Sequence, residues 1–112
     1  MTFLVCGLVL FSEKSLEEVA EILSAKLIAG IPFVGRDEFI YDEIPAVYAE
    51  RDVLGLRIIL QGFGGEDGYQ LEIRPRDYPS ENKPLDLTRT SRVDITDFIG
   101  FLLKDIKELR LG

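Results

Sequence analysis

An α+β fold is what the sequence predicts: a mainly antiparallel sheet of four to five strands with two amphipathic helices packed on it. Three observations carry that prediction. The chain opens on a nearly unbroken apolar run, Phe3–Phe11, rich in Val, Leu and Phe. Helical stripes lie near each end, and between them two strand-like runs flank a glycine-rich loop. Strands grouped between helices, rather than alternating with them, argue for helices laid on one face of an antiparallel sheet. The 112 residues amount to one domain, spanning 1–112, and no linker or internal repeat divides them.

Each element follows from local chemistry. Phe3–Phe11 shows no alternation, as in a central strand covered on both faces. Nine residues are too few to span a bilayer, and no basic start or cleavage site marks a signal peptide. The chain is therefore expected to be cytoplasmic. Ser15-Leu16-Glu17-Glu18 fits a capping box, and Leu16, Val19, Ala20, Leu23 and Leu27 follow as one helical stripe. Glu17, Glu18 and Glu21 sit near the positive end of that helix. Gly30 and Ile31-Pro32 stop it.

Residues 31–45 read as a loop with short extended pieces, and Ala46–Glu50 as a short strand. Val53–Gln61 is a clearer strand, with Leu54, Leu56, Ile58 and Leu60 on one face. Gly62–Gly68 forms the loop of a hairpin whose return strand, Tyr69–Arg74, alternates Tyr69, Leu71 and Ile73 with Gln70, Glu72 and Arg74. Residues 75–93 lack periodicity, and Leu85–Thr90 is the best place there for a strand. Asp94 caps a final helix whose buried stripe is Ile95, Phe98, Ile99, Leu102, Ile106 and Leu109. Lys104, Lys107 and Arg110 suit its negative end, and Gly100 marks close packing on the sheet.

Composition excludes much chemistry. There is no histidine and only one cysteine, Cys6. Ser-His-Asp and Cys-His sites, His-ligated zinc and all-cysteine clusters within one chain are thereby ruled out. Cys6 lies in the apolar run and reads as a small buried hydrophobe. Gly62 and Gly64 resemble a phosphate loop, but Asp67 takes the third glycine position and a strand follows instead of a helix. Adjacent carboxylates such as Glu66 and Asp67 have no positioned partner for acid/base work. No catalytic residue, metal site or cofactor is expected, and the chain reads as no enzyme.

The net charge of −7 disfavours nucleic acid and anionic membranes and favours a basic protein. Residues 1–73 hold 13 acids and 5 bases, against 7 and 8 in residues 74–112, so the negative charge sits in the first two thirds. There Asp37, Glu38, Asp42, Glu43, Glu66 and Asp67 are interleaved with Tyr41 and Tyr69. Carboxylates beside tyrosine rings suit a surface that receives Lys and Arg. These eight residues are the expected partner-binding set, with a solvated acidic loop as the plainer reading. The acidic loop Asp37–Glu43 has no EF-hand pattern.

The run Ile31-Pro32-Phe33-Val34-Gly35-Arg36-Asp37-Glu38-Phe39-Ile40-Tyr41-Asp42-Glu43-Ile44-Pro45, leading into a hairpin in a compact acidic chain, resembles bacterial immunity proteins. Such proteins are encoded beside secreted toxins, as in contact-dependent growth inhibition systems, and the resemblance covers the general layout of the whole chain. It implies a cytoplasmic antidote that binds a cognate toxin domain, often a nuclease, and blocks its active site. A nuclease must hold phosphates and so tends to be basic, which an acidic inhibitor complements. The alternative is a small self-associating scaffold or regulatory subunit, pairing through an exposed hairpin edge. The expected state is a monomer or weak homodimer.

Overall fold

The computed structural model describes residues 2–35, 44–75 and 91–112. In chain order these form β1 (Thr2–Phe11), α1 (Leu16–Leu27), β2 (Phe33–Val34), β3 (Ala46–Ala49), β4 (Leu56–Gln61), β5 (Tyr69–Pro75), β6 (Ser91–Asp94), α2 (Thr96–Leu103) and β7 (Arg110–Leu111). The α+β class holds, with seven strands in place of four to five. The strands not expected from the sequence are β2, β6 and β7; β2 and β7 are two residues long and β6 four, too short to show a period. The sheet order is β2-β3-β4-β5-β1-β6, with β7 also on β1. All pairings are antiparallel except that of β1 with β6.

Register explains the core. Cys6 faces Ile73, which faces Ile58; Leu8 faces Leu71, which faces Leu60. These two rows cross three strands and are all buried, and they pack with Val19 and Leu23 of α1 and Ile99 and Leu103 of α2 in one cluster. Both helices therefore lie on one side of the sheet. Burial of this cluster is the main stabilising term of the fold, each large side chain contributing about 1.5–3 kcal/mol.

The opposite side corrects the reading of β1. Its neighbouring rows are Gly7–Glu72–Ile59 and Val9–Gln70–Gln61. Gly7 is exposed and Val9 is 41% exposed. Among the described residues, β1 is central but packed against the helices on one face only, and its β-branched Val9 reflects strand propensity rather than a second apolar layer.

The β3–β4 hairpin overturns the placement of Leu54. Val53 and Leu56 exchange both backbone hydrogen bonds around Leu54-Gly55, whose φ values are 52° and 77°. Two positive φ angles in a two-residue loop give a type I′ turn. Leu54 thus stands 95% exposed at a turn tip, not in a strand facing the core. Among the described residues β3 and β1 flank the β4–β5 hairpin, and the strand order runs from β2 to β6.

The glycine loop is a structural turn. Gly64 N–H bonds Gly68 O and Gly68 N–H bonds Gly65 O. Gly68 has φ 70°, and a Cβ there would stand 2.7 Å from Leu10 O, so no other residue fits.

The C-terminal segment wraps the remaining edge of β1. β6 pairs along Thr2–Val5 and β7 at Leu10 and Phe11. Between them, Ile95 N–H bonds Val5 O and Gly7 N–H donates to Thr96 Oγ1 at 3.1 Å. The expected strand Leu85–Thr90 lies outside the described residues.

Helix α2 is shorter than its pattern suggests. Lys104 is its C-cap, Lys107 lies in the following turn and Arg110 belongs to β7, so none of the three lies within the last helical turn. Its inward residues are Ile99, Gly100 and Leu103, whereas Phe98 and Leu102 point outward at 59% and 48% exposure. Asp94 ends β6, and its carboxylate accepts from Thr96 N–H at 2.8 Å and from the Thr96 hydroxyl at 2.5 Å. That turn fixes which side of α2 meets the sheet. An ideal Cβ on Gly100 would lie 3.6 Å from a Leu111 methyl and 3.8 Å from a Leu8 methyl, which shows how near the helix backbone sits to the strands.

Candidate functional site

Several of the described acids lie around the start of α1. Ser15 Oγ accepts from Glu18 N–H, and Glu18 Oε1 accepts from Ser15 N–H, both at 3.2 Å, completing the capping box. The Ser15 backbone N–H, more than its hydroxyl, holds the Glu18 carboxyl below its ordinary range. The stripe Leu16, Val19, Ala20 and Leu23 is buried, with Leu27 half-buried behind it, so Glu17, Glu18 and Glu21 are turned outward.

Two concavities meet at Glu18. One, of about 590 Å³, runs along α1 and is lined by Glu17, Glu18 and Glu21 above apolar Phe33 and Val47, with no Lys or Arg among its described lining residues. The other, of about 790 Å³, lies between the β1–α1 turn, the glycine loop and the turn before β7. Glu13, Glu18, Glu66 and Glu108 line it together with Lys14, Lys107 and Arg110. The Arg110 guanidinium rests over the Phe11 ring, 5.3 Å from its centre.

The expected contact residues divide three ways. Glu66 and Asp67 are exposed on the glycine loop, and Glu66 reaches the larger cleft. Tyr69 is 4% exposed, on the core face opposite Leu10. Its hydroxyl donates to Lys14 O at 2.6 Å and so pins the turn that leads into α1. Burial, then the charges of Glu17 and Glu18, push its pKa up. Tyr69 is thus a core tyrosine supporting the acidic surface from beneath, in keeping with its alternation with Leu71 and Ile73. Asp37, Glu38, Tyr41, Asp42 and Glu43 lie outside the described residues.

Glu13, Glu17, Glu18, Glu21 and Glu108 fall outside the expected contact set. The helix dipole already favours acids at the start of α1, and Glu108 is far from the others in sequence. An available signal is the outward side of the α1 stripe, which carries three glutamates and no base within its first two turns.

Cys6 is 4% exposed, and burial raises its thiol pKa, leaving it protonated. Among the described residues no group of three or more Cys, Asp or Glu side chains is placed to hold a metal. No helix of the described residues is long and apolar enough to cross a membrane. No family model, curated protein or solved structure matches the chain.

Proposed function

We propose that the protein is an inhibitor of the immunity type, which binds a cognate, basic toxin domain through its acidic surface and acts without catalysis. The observation that carries this reading is the groove along α1. Three carboxylates rim an apolar floor with no base among its described lining residues, which suits a partner segment that presents Lys or Arg beside an apolar side chain. Glu13 and Glu66 extend the acidic rim past Glu18, and the net charge of −7 steers a basic partner toward it. A nuclease-type toxin fits this field best, because its own surface must attract phosphate.

The test is affinity capture from native lysate with the tagged protein and with a Glu13→Lys/Glu21→Lys/Glu66→Lys variant. All three side chains are exposed, so the variant keeps its core. The expected result is one basic protein held in near-equal amount by the parent chain, released by high salt and lost from the variant. The captured protein, once purified, should lose its toxic activity on binding. Equal capture by the variant would overturn the surface assignment, and a captured protein left fully active would overturn the inhibitor reading.

A further inference from the structure

Helix α2 carries its largest side chains on the wrong side for a monomer. Phe98, Phe101 and Leu102 are 59%, 62% and 48% exposed, while Ile99, Gly100 and Leu103 face the sheet. Three large apolar groups on one face of an eight-residue helix form a patch of the kind that marks an interface. The charges beside the patch indicate what covers it.

At 3.6 residues per turn, Phe98, Phe101 and Leu102 point outward, and Asp97 and the C-cap Lys104, whose backbone is still helical, lie together along one flank of that stripe. They stand one heptad apart and carry opposite charge. The Lys104 ammonium lies over the Phe101 ring, 4.2 Å from its centre, which holds the cation at the patch border. When two helices pack antiparallel about a twofold axis, each flank meets the same flank of its partner, running the other way. Asp97 of one copy then approaches Lys104 of the other, twice by symmetry. Phe98 meets the region of Phe101 and Leu102 across the same axis. A parallel pair sets opposite flanks together and leaves both charges without a complement.

We infer that the outer face of α2 is a self-complementary interface, joining two copies of this chain through antiparallel α2 helices with paired Asp97 and Lys104. This rests on α2 alone and does not depend on the inhibitor reading, which uses α1 and the cleft beside it. The three side chains offer about 300 Å² per chain, against about 800 Å² for a standard interface, so the dimer is weak and concentration-dependent.

Sedimentation velocity over a concentration series tests this. The parent chain should pass from monomer to dimer in the tens to hundreds of micromolar, on the order of what so small an interface supports. Phe101→Glu should weaken association by roughly 100-fold or more, because it buries a charge in an apolar contact. Asp97→Lys and Lys104→Glu should each weaken it by about tenfold, and the double exchange should restore it to within about threefold. All three positions are exposed, and circular dichroism of each variant checks that it folds. A parent chain monomeric throughout, or a dimer unmoved by Phe101→Glu, would overturn the interface. Failure of the double exchange to restore pairing would overturn the antiparallel arrangement, since only a second copy carries the matching swap.

Discussion

The two helices share one side of the sheet and teach opposite lessons. Along α1, polar and apolar residues segregate: Leu16, Val19, Ala20 and Leu23 are buried, and Glu17, Glu18 and Glu21 are outside. Pattern and packing agree because only one face could be buried. Along α2, Phe98, Ile99, Phe101, Leu102 and Leu103 leave hardly any polar side. Nothing in its period decides which stripe faces inward, and the choice passes to its ends. The Asp94–Thr96 turn and the Gly7 bond to Thr96 make that choice. A helix oriented by its attachments can leave apolar surface free for another use.

The sharpest way to break this contrast is to truncate neighbouring leucines in α2. Leu103 is fully buried and Leu102 is 48% exposed. Leu103→Ala should destabilise the fold by about 2–5 kcal/mol, the range for large-to-small core changes. Leu102→Ala should stay within about 0.5 kcal/mol in dilute solution. Urea unfolding of both variants checks this, and similar losses would mean that both side chains are packed inside.

The same contrast shows how much was legible. The sheet-and-helix class, α1 and the β4–β5 hairpin follow from strong periods and from turn chemistry. β2 and β7 are two residues each and exist only because longer strands beside them supply partners. The acidic surface is legible in part. Glu66, one of the expected contact residues, lines the larger cleft, and Glu13, Glu18 and Glu108 join it there only because the turns before α1 and β7 fold to one cleft. Adjacency in sequence draws attention to residues 37–43, and no property of single residues announces a cleft assembled from separate segments.

The entry to α1 offers the next largest effect. Ser15→Ala removes the hydroxyl that accepts from Glu18 N–H and should cost about 1 kcal/mol. Tyr69→Phe removes the bond to Lys14 O and should cost a similar amount, about 1 kcal/mol. It should also flatten stability at alkaline pH. The folded chain raises the Tyr69 pKa, so its contribution is present below the unfolded value near 10 and is lost as pH rises through the folded one. Thermal unfolding between neutral pH and about pH 11 separates the two variants, because only Tyr69→Phe loses that slope.

Gly100 gives a change of opposite sign. A Cβ at this position would meet Leu111 and Leu8 methyls at 3.6 and 3.8 Å, ordinary van der Waals distances, and its φ is not in the left-handed region. Gly100→Ala should therefore stabilise by about 0.5–1 kcal/mol through helix propensity and a less flexible unfolded chain. A loss measured in chemical denaturation would mean that α2 sits closer to the sheet than these distances allow.

The smallest effect compares how the two helix starts hold their acids. Glu18 and Asp94 are both held below the ordinary carboxyl range. Their support is present above the unfolded pKa and fades as pH falls through the lowered folded value, so both helix starts loosen below about pH 4. The causes rank differently. Glu18 depends first on the Ser15 backbone N–H, which alanine retains. Asp94 depends first on the Thr96 hydroxyl, which valine removes. Carboxyl titration followed by NMR should show Asp94 rising more in Thr96→Val than Glu18 rises in Ser15→Ala. Thr96→Val also removes the acceptor of Gly7 N–H, so amide exchange at Gly7 should quicken in that variant alone. Equal carboxyl shifts with no change at Gly7 would mean that the Asp94–Thr96 turn does not orient α2, and the explanation for its outward phenylalanines would have to be sought in its packing against β1.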